Sequence, residues 1–483
     1  MKMIACLLHV FIAVSIISCQ DTPKTRDQVI STDSLTPAET HLAANALKGL
    51  RVANGLEVKL FAAEPMLRNP TNVDVDDRGR VWVTEAYNYR PQINGNPVNP
   101  EGDRIIILED TNHDGRADTS KVFYQGPELN APLGICVLGD RVIVSQSPNI
   151  WVFFDDNHDD KADRKEILFQ GIGGEQHDHG AHAFIPGPDG KLYFNIGNEG
   201  TTIKDKNNKS LMDDEGDAIA PPKYKMGMVF RCNPDGSKLE CIAQNFRNNY
   251  EVAVDSYGTM WQSDNDDDGN RGVRINYVMQ HGNYGYVDEM TGASWSSGRI
   301  NMEDSIPYRH WHLNDPGVVP NLLQTGAGSP TGIVFYEGSL LPEKFRHQMI
   351  HCDAGVNVVR AYPVTKRDAG YSATIEDILK NETDKWFRPA DVAVAPDGSL
   401  IVADWYDPGV GGHAAGDQLK GRIYRIAPPG TTYEIPKYDY TSSLDAIKAL
   451  QNPNLCIRHH AYEFLKNMGD SAIGELNKLW RSN

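Results

Sequence analysis

One phrase, repeated along the chain, restricts the fold more than any other feature. Two short alternating stretches flank a glycine turn at residues 72–75 and 81–83 around Gly79, and at 134–137 and 142–144 around Gly139. The phrase returns at 183–184 and 192–194 around Gly190, and at 252–254 and 260–261 around Gly258. A looser copy occupies 332–335 before Gly338, and a sixth spans 392–394 and 400–402 around Gly398. Period-2 alternation on both sides of a tight turn is a β-hairpin, and glycine supplies the positive φ that such turns need. Neighbouring turn glycines stand 51 to 80 residues apart, against roughly 40–50 for compact propeller blades. The surplus fits long loops between blades. Six copies predict an all-β domain over 49–430, a six-bladed β-propeller around a central channel. A two-sheet sandwich is the alternative, but it has no need of six similar hairpins.

Composition agrees with strands and turns: 43 Gly and 28 Pro occur in 483 residues. A net charge of −18 repels phosphate backbones and argues against nucleic-acid binding.

Residues 1–18 read as an export signal. Lys2 gives a positive start, 4–17 is an apolar stretch short for a membrane span, and Ser18 precedes Cys19. The pattern resembles a bacterial lipoprotein signal, which makes Cys19 the lipidated first residue, with cleavage without lipidation as the alternative. The expected location is the envelope, on the periplasmic face or outer membrane, held by the lipid alone. Residues 19–48 are polar and read as a flexible tether. Within 440–483, Leu444, Ile447, Leu450, Leu455, Ala461, Phe464 and Leu465 recur at helical spacing. They predict a short HEAT-like helical segment that must dock, because one such unit cannot bury its own face.

Cys232 and Cys241 flank a turn at 233–237, so a disulfide between them is one expectation and two free thiols the other. No Cys-x-x-Cys-His occurs, so no covalent haem is indicated.

Two loops share a spelling: Asp110, Asn112, Asp114 and Asp118 in one, Asp155, Asn157, Asp159 and Asp163 in the other. Oxygen donors at alternate positions can wrap Ca²⁺, while a solvated Asx turn is the metal-free reading. The densest segment is 176–182, where His177, Asp178, His179 and His182 fall together. A histidine there can take a proton from a substrate hydroxyl with Asp178 orienting it, or a histidine pair can hold Zn²⁺. Arg247 and Asn248 precede the fourth hairpin, and Arg388 holds the matching place before the sixth. Two guanidinium forks at one rim suit an anionic cofactor or substrate. Trp405 follows a strand and can stack on a flat ring or a sugar.

These residues carry a resemblance. His177-Asp178-His179-Gly180 followed by 187–193 resembles the catalytic blade of the soluble PQQ-dependent glucose, aldose and sorbosone dehydrogenases, and Phe246-Arg247-Asn248 resembles their Arg-Asn segment. Segments 69–75, 80–85, 264–276 and 403–408 are similar to a family of exported bacterial membrane-bound dehydrogenases, whose longer members are the PVC-type haem-binding proteins. The resemblance covers about residues 50–430. It implies a quinoprotein-like oxidoreductase that oxidises a sugar or other alcohol and passes electrons to an external cytochrome or other acceptor. Carried over, His179 is the base with Asp178 beside it, and Arg247 and Asn248 contact PQQ; Arg388, Trp405 and His182 are further candidate cofactor contacts from their own places in the sequence. The quinoprotein pattern has an Arg shortly after the His, where this chain has His182. Two other functions stay open: a non-catalytic surface propeller binding glycan or a partner protein, and a metal-dependent lyase or hydrolase using the His cluster.

Overall fold

The computed structural model describes residues 27–32, 35–174, 179–265, 271–294, 310–410 and 414–482. Six sheets, antiparallel apart from a short parallel edge pairing of Gly282–Asn283 in the third, surround one axis, and each begins at the axis with the first strand of a repeated hairpin. The inner strands are Pro70–Val75, Gly134–Leu138, Ala181–Pro186, Val252–Val254, Pro330–Tyr336 and Pro389–Val394, numbered here as blades 1 to 6. The protein is thus a six-bladed β-propeller.

Sequence pattern follows from position in the blade. Middle strands are covered on both faces by neighbouring blades, so they read as apolar runs: Ile105, Ile106, Ile107 and Leu108 are all buried. Outer strands are largely open to solvent, as in Thr119–Gln125, where only Phe123 is buried. The ring is closed by an early segment. Strand Glu57–Ala63 pairs with Arg422–Ala427, so the outermost strand of blade 6 comes from the front of the chain. The turn glycines 79, 139, 190, 258 and 398 all have positive φ. The loose fifth copy departs from this: its inner strand reaches the next strand through residues 337–347, which hold a 3₁₀ turn at Glu343–Phe345.

The expected tether is corrected in part. From residue 27 the chain is laid against the ring: Gln28–Val29 pairs with Leu50–Val52, which extends the edge of blade 5. Ala46, with Ile30 and Leu47, packs on the core between blades 5 and 6, and His41 stacks on Trp386 at 4.1 Å. Apolar residues hidden in a polar stretch hold it down. Residues 1–26, with Cys19, lie outside the described residues.

Three helices end the chain, at Ser443–Ala449, Leu455–Met468 and Asp470–Ser482, and they dock on the end of the ring that carries the hairpin turns. Asn454 fixes them in place. Its Oδ1 caps the second helix by accepting from Ile457 N at 2.9 Å. Its Nδ2 donates to the carbonyls of Val75 (2.7 Å) and Val394 (2.9 Å), the last residues of two inner strands. Tyr462 donates to Asp189 O at 3.0 Å, and Arg458 pairs with Glu337. The helices therefore stopper one mouth of the channel. Among the described residues no helix is long and apolar enough to cross a membrane.

The register removes the expected disulfide. Cys241 stands opposite Phe230, while Cys232 faces Leu192 on the other side of its strand. Both thiols are free, and burial pushes both upward in pKa.

Candidate active site

Loops entering the inner strands gather at the mouth opposite the helices. They enclose a cavity of ≈ 190 Å³ bordered by His179, Arg247, Asn248, Arg388 and Trp405, with Tyr89, Tyr250 and Asn265. Its floor is Tyr250. The ring of this residue stacks on buried His182 at 4.8 Å, and its hydroxyl reaches across the axis to the carbonyls of Thr71 (3.0 Å) and Leu133 (2.8 Å).

A repeated device sets the rim. An acid ends the second strand of four blades and accepts backbone N–H groups from the loop that enters the inner strand. Glu85 accepts from Arg68 N at 3.0 Å, Asp353 from Ser329 N at 2.7 Å and Asp404 from Arg388 N at 2.7 Å. Asp264 accepts from Arg247 N at 3.1 Å and Asn248 N at 2.9 Å, and buried Arg274 holds it at 2.7 Å. Arg247 and Arg388 therefore do occupy equivalent places, at the same end as His179.

Their side chains differ in engagement. Arg388 donates to the carbonyls of Ala354 (2.9 Å), Pro408 (3.1 Å) and Asp407 (3.2 Å), and burial lowers its pKa. Asn248 Oδ1 is buried at the cavity wall without a hydrogen-bond donor among the described residues. Trp405 meets Tyr89 edge-on at 5.0 Å.

His179 is held by a residue that the sequence reading missed. Its Nδ1 lies 2.5 Å from Asn198 Oδ1, and the Asn198 backbone N–H donates to Arg247 O at 2.7 Å. Burial and the positive charge of Arg247 push the imidazole down to about 3. The ring is neutral at physiological pH. With Asn198 Oδ1 accepting from Nδ1–H, Nε2 keeps its lone pair.

Some candidates fall elsewhere. His182 is fully buried, bonded through Nδ1 to Asn249 O at 2.9 Å, and outside the cavity lining. His177 and Asp178 lie outside the described residues.

The two Asp-rich loops join third to fourth strands at the far end of the ring. In the first, Asp118 accepts from Thr111 and Asn112, and Asp110 from Asp114 N and Gly115 N. In the second, Asp163 accepts from Asp156 N and Asn157, and Asp155 from Asp159 N and Asp160 N. Asn112 and Asn157 each accept from the aspartate two residues on. Each loop also stitches its blade to the preceding one, through Ala117 N to Phe61 O (2.8 Å) and Ala162 N to Phe123 O (3.0 Å).

The ring of six blades is an architecture found in other proteins. Solved structures share that fold. The holo PQQ domain of pyranose dehydrogenase from Coprinopsis cinerea matches at 17% identity and TM-score 0.51, covering 78% of this chain and 97% of its own. PQQ-bound aldose sugar dehydrogenase from Streptomyces coelicolor matches at 16% and 0.51, covering 78% and 99%. The calcium structure of a Trichoderma reesei enzyme of carbohydrate-active family AA12 matches at 14% and 0.53, covering 79% and 97%. No curated protein matches the sequence. By its sequence the chain belongs to the family described as domain of unknown function DUF7133, whose model matches residues 43–429.

Proposed function

We propose that the protein is a quinoprotein-like oxidoreductase that oxidises a hydroxyl of a sugar or related alcohol at the cavity bordered by His179. The observation that carries this reading is a neutral, oriented imidazole beside two guanidinium groups at the open mouth of a propeller. The fold neighbours named for PQQ support it. The lining fits a flat, polyanionic quinone: Arg247 and Arg388 supply positive charge, and Trp405 and Tyr89 supply ring faces. Arg247, Asn248, Arg388 and Trp405 are the residues that would hold PQQ.

When bound there, the quinone supplies two-electron acceptance. The chain's own residues handle the proton. His179 takes the hydroxyl proton at Nε2, and Asn198 holds the opposite ring nitrogen protonated so that the basic one is presented. Tyr250 closes the floor and limits water reaching the reacting centre from below. Electrons leave to an external acceptor. Ca²⁺ at the two Asp-rich loops would stiffen blade edges without reaching the cavity. Export and lipidation at Cys19 belong to the same proposal, since quinone-linked oxidation of this kind suits an envelope protein.

The test is dye reduction by the purified protein, with and without added PQQ and Ca²⁺, across a panel of aldoses and polyols. Quinone-dependent turnover is expected, falling about 100-fold or more in His179→Asn while PQQ binding persists. Absence of both quinone binding and turnover in the wild type removes the reading. The metal-dependent lyase or hydrolase alternative rests on His177 with His179, and His177 lies outside the described residues.

A further inference from the structure

We propose a second site, for a borderline divalent transition metal such as Zn²⁺, formed by Asp77, Cys456 and His460 where the C-terminal helices meet the propeller. One ligand atom from each of the three lies within 4.8 Å of the others. Cys456 and His460 are four residues apart on the helix Leu455–Met468, so they share one face and converge on one point. Their Sγ and Nε2 are 3.9 Å apart. That is close to the spacing of two ligands on one tetrahedral ion, given metal–sulfur and metal–nitrogen bonds of about 2.3 and 2.0 Å. Asp77 comes from a separate element, the first turn of blade 1; its Oδ2 lies 3.4 Å from His460 Nδ1, the nitrogen opposite the one nearest Cys456, so a single ion takes one ring nitrogen and the three donors meet within the 4.8 Å span rather than through both short contacts.

A sulfur, a nitrogen and an oxygen donor drawn from two elements make the mixed set that zinc-like ions select over calcium or magnesium. The approach is built into the backbone. His460 Nε2 would lie 2.8 Å from a Cβ at position 139, so Gly139 leaves the space the ring uses. A route for the ion also exists. Asp77 borders an open cleft shared with Arg78, His113, Glu434, Tyr438 and Tyr440, from which water can supply a fourth ligand. The site stands at the stoppered end, away from the cavity bordered by His179, and the proposed oxidation makes no use of it. Its effect is to pin the helical segment to blade 1.

Cobalt tests this directly, because thiolate bound to Co²⁺ gives a ligand-to-metal charge-transfer band in the near ultraviolet. The full chain is stripped with a chelator and titrated with Co²⁺ in the presence of excess Ca²⁺, which occupies oxygen-only sites. One Co²⁺ per chain with that band is expected, displaced by one Zn²⁺. Cys456→Ser should abolish the band, and His460→Ala should weaken binding roughly tenfold or more. Wild-type protein that binds no Co²⁺, or binds it without the band, overturns the proposal, as does a band that survives in Cys456→Ser. The wild-type spectrum needs no variant to fold, and it reads out independently of quinone or activity.

Discussion

At the scale of single residues, the proposed oxidation turns on one imidazole whose state is set by its surroundings. His179 is pushed down to about 3 from an ordinary 6.5. The unfolded chain therefore binds the extra proton between those values and the folded chain does not. His179 thus contributes stability above pH 6.5 that is lost as pH falls through that window. The same shift predicts that kcat shows no acid limb from this base between about pH 5 and 8. A limb near pH 6.5 that disappears in His179→Asn would contradict it. Asn198→Ala should lower kcat by roughly tenfold, with unchanged PQQ affinity, by freeing the tautomer; stopped-flow reduction against quinone titration separates the two effects. His179, Arg247, Asn248, Arg388 and Trp405, which border one cavity, could be singled out in the sequence because each stands at a hairpin boundary. The sequence did not show Asn198 or Tyr250, whose partners are 19 and well over 100 positions away. His182 was misplaced for a related reason. Strand alternation decides which way a side chain faces, and the irregular register between Ala181 and Phe184 blurs that alternation.

At the scale of elements, the hairpins were legible because glycine turns and two-residue alternation are local signals. Pairing between distant segments was not. Nothing in the polar stretch before residue 48 announces that Gln28–Val29 will add to the edge of blade 5. The Cys232–Cys241 turn looked suited to a bridge, yet the pairing offset places Cys241 beside Phe230. The helical tail could be foreseen as docked, but its anchor could not, since Asn454 serves both as helix cap and as donor to two blades. Asn454→Ala should cost about 2–3 kcal/mol, combining a lost cap with two lost hydrogen bonds. Urea denaturation measures the cost, and hydrogen exchange across 455–468 should rise before the blades themselves open.

At the scale of the whole molecule, the axis is lined by acids that tie blade to blade. Asp391 accepts from Val73 N at 2.8 Å, Asp74 from Val137 N at 2.7 Å and Glu251 from Ile333 N at 2.7 Å. Burial raises all three: Asp74 and Asp391 to about 7, and Glu251 well above the carboxylate range beside Asp391. The folded chain therefore holds protons that the unfolded chain releases near pH 4. The stability these acids contribute is present below that pH and is lost as pH rises through 7. Melting temperature is expected to fall between about pH 6 and 8 and to level off above that for Asp74 and Asp391. Glu251→Gln, which keeps a neutral side chain at every pH, should flatten part of that fall; a wild-type melt that rises over the range would refute the assignment. Closure of the ring has a further consequence for biogenesis. A chain delivered front end first presents Glu57–Ala63 long before Arg422–Ala427 exists to receive it. Until then the nascent polypeptide carries a bare strand edge open to mispairing with other chains. Its safe maturation therefore rests on whatever shields that edge in the compartment where synthesis or transport finishes.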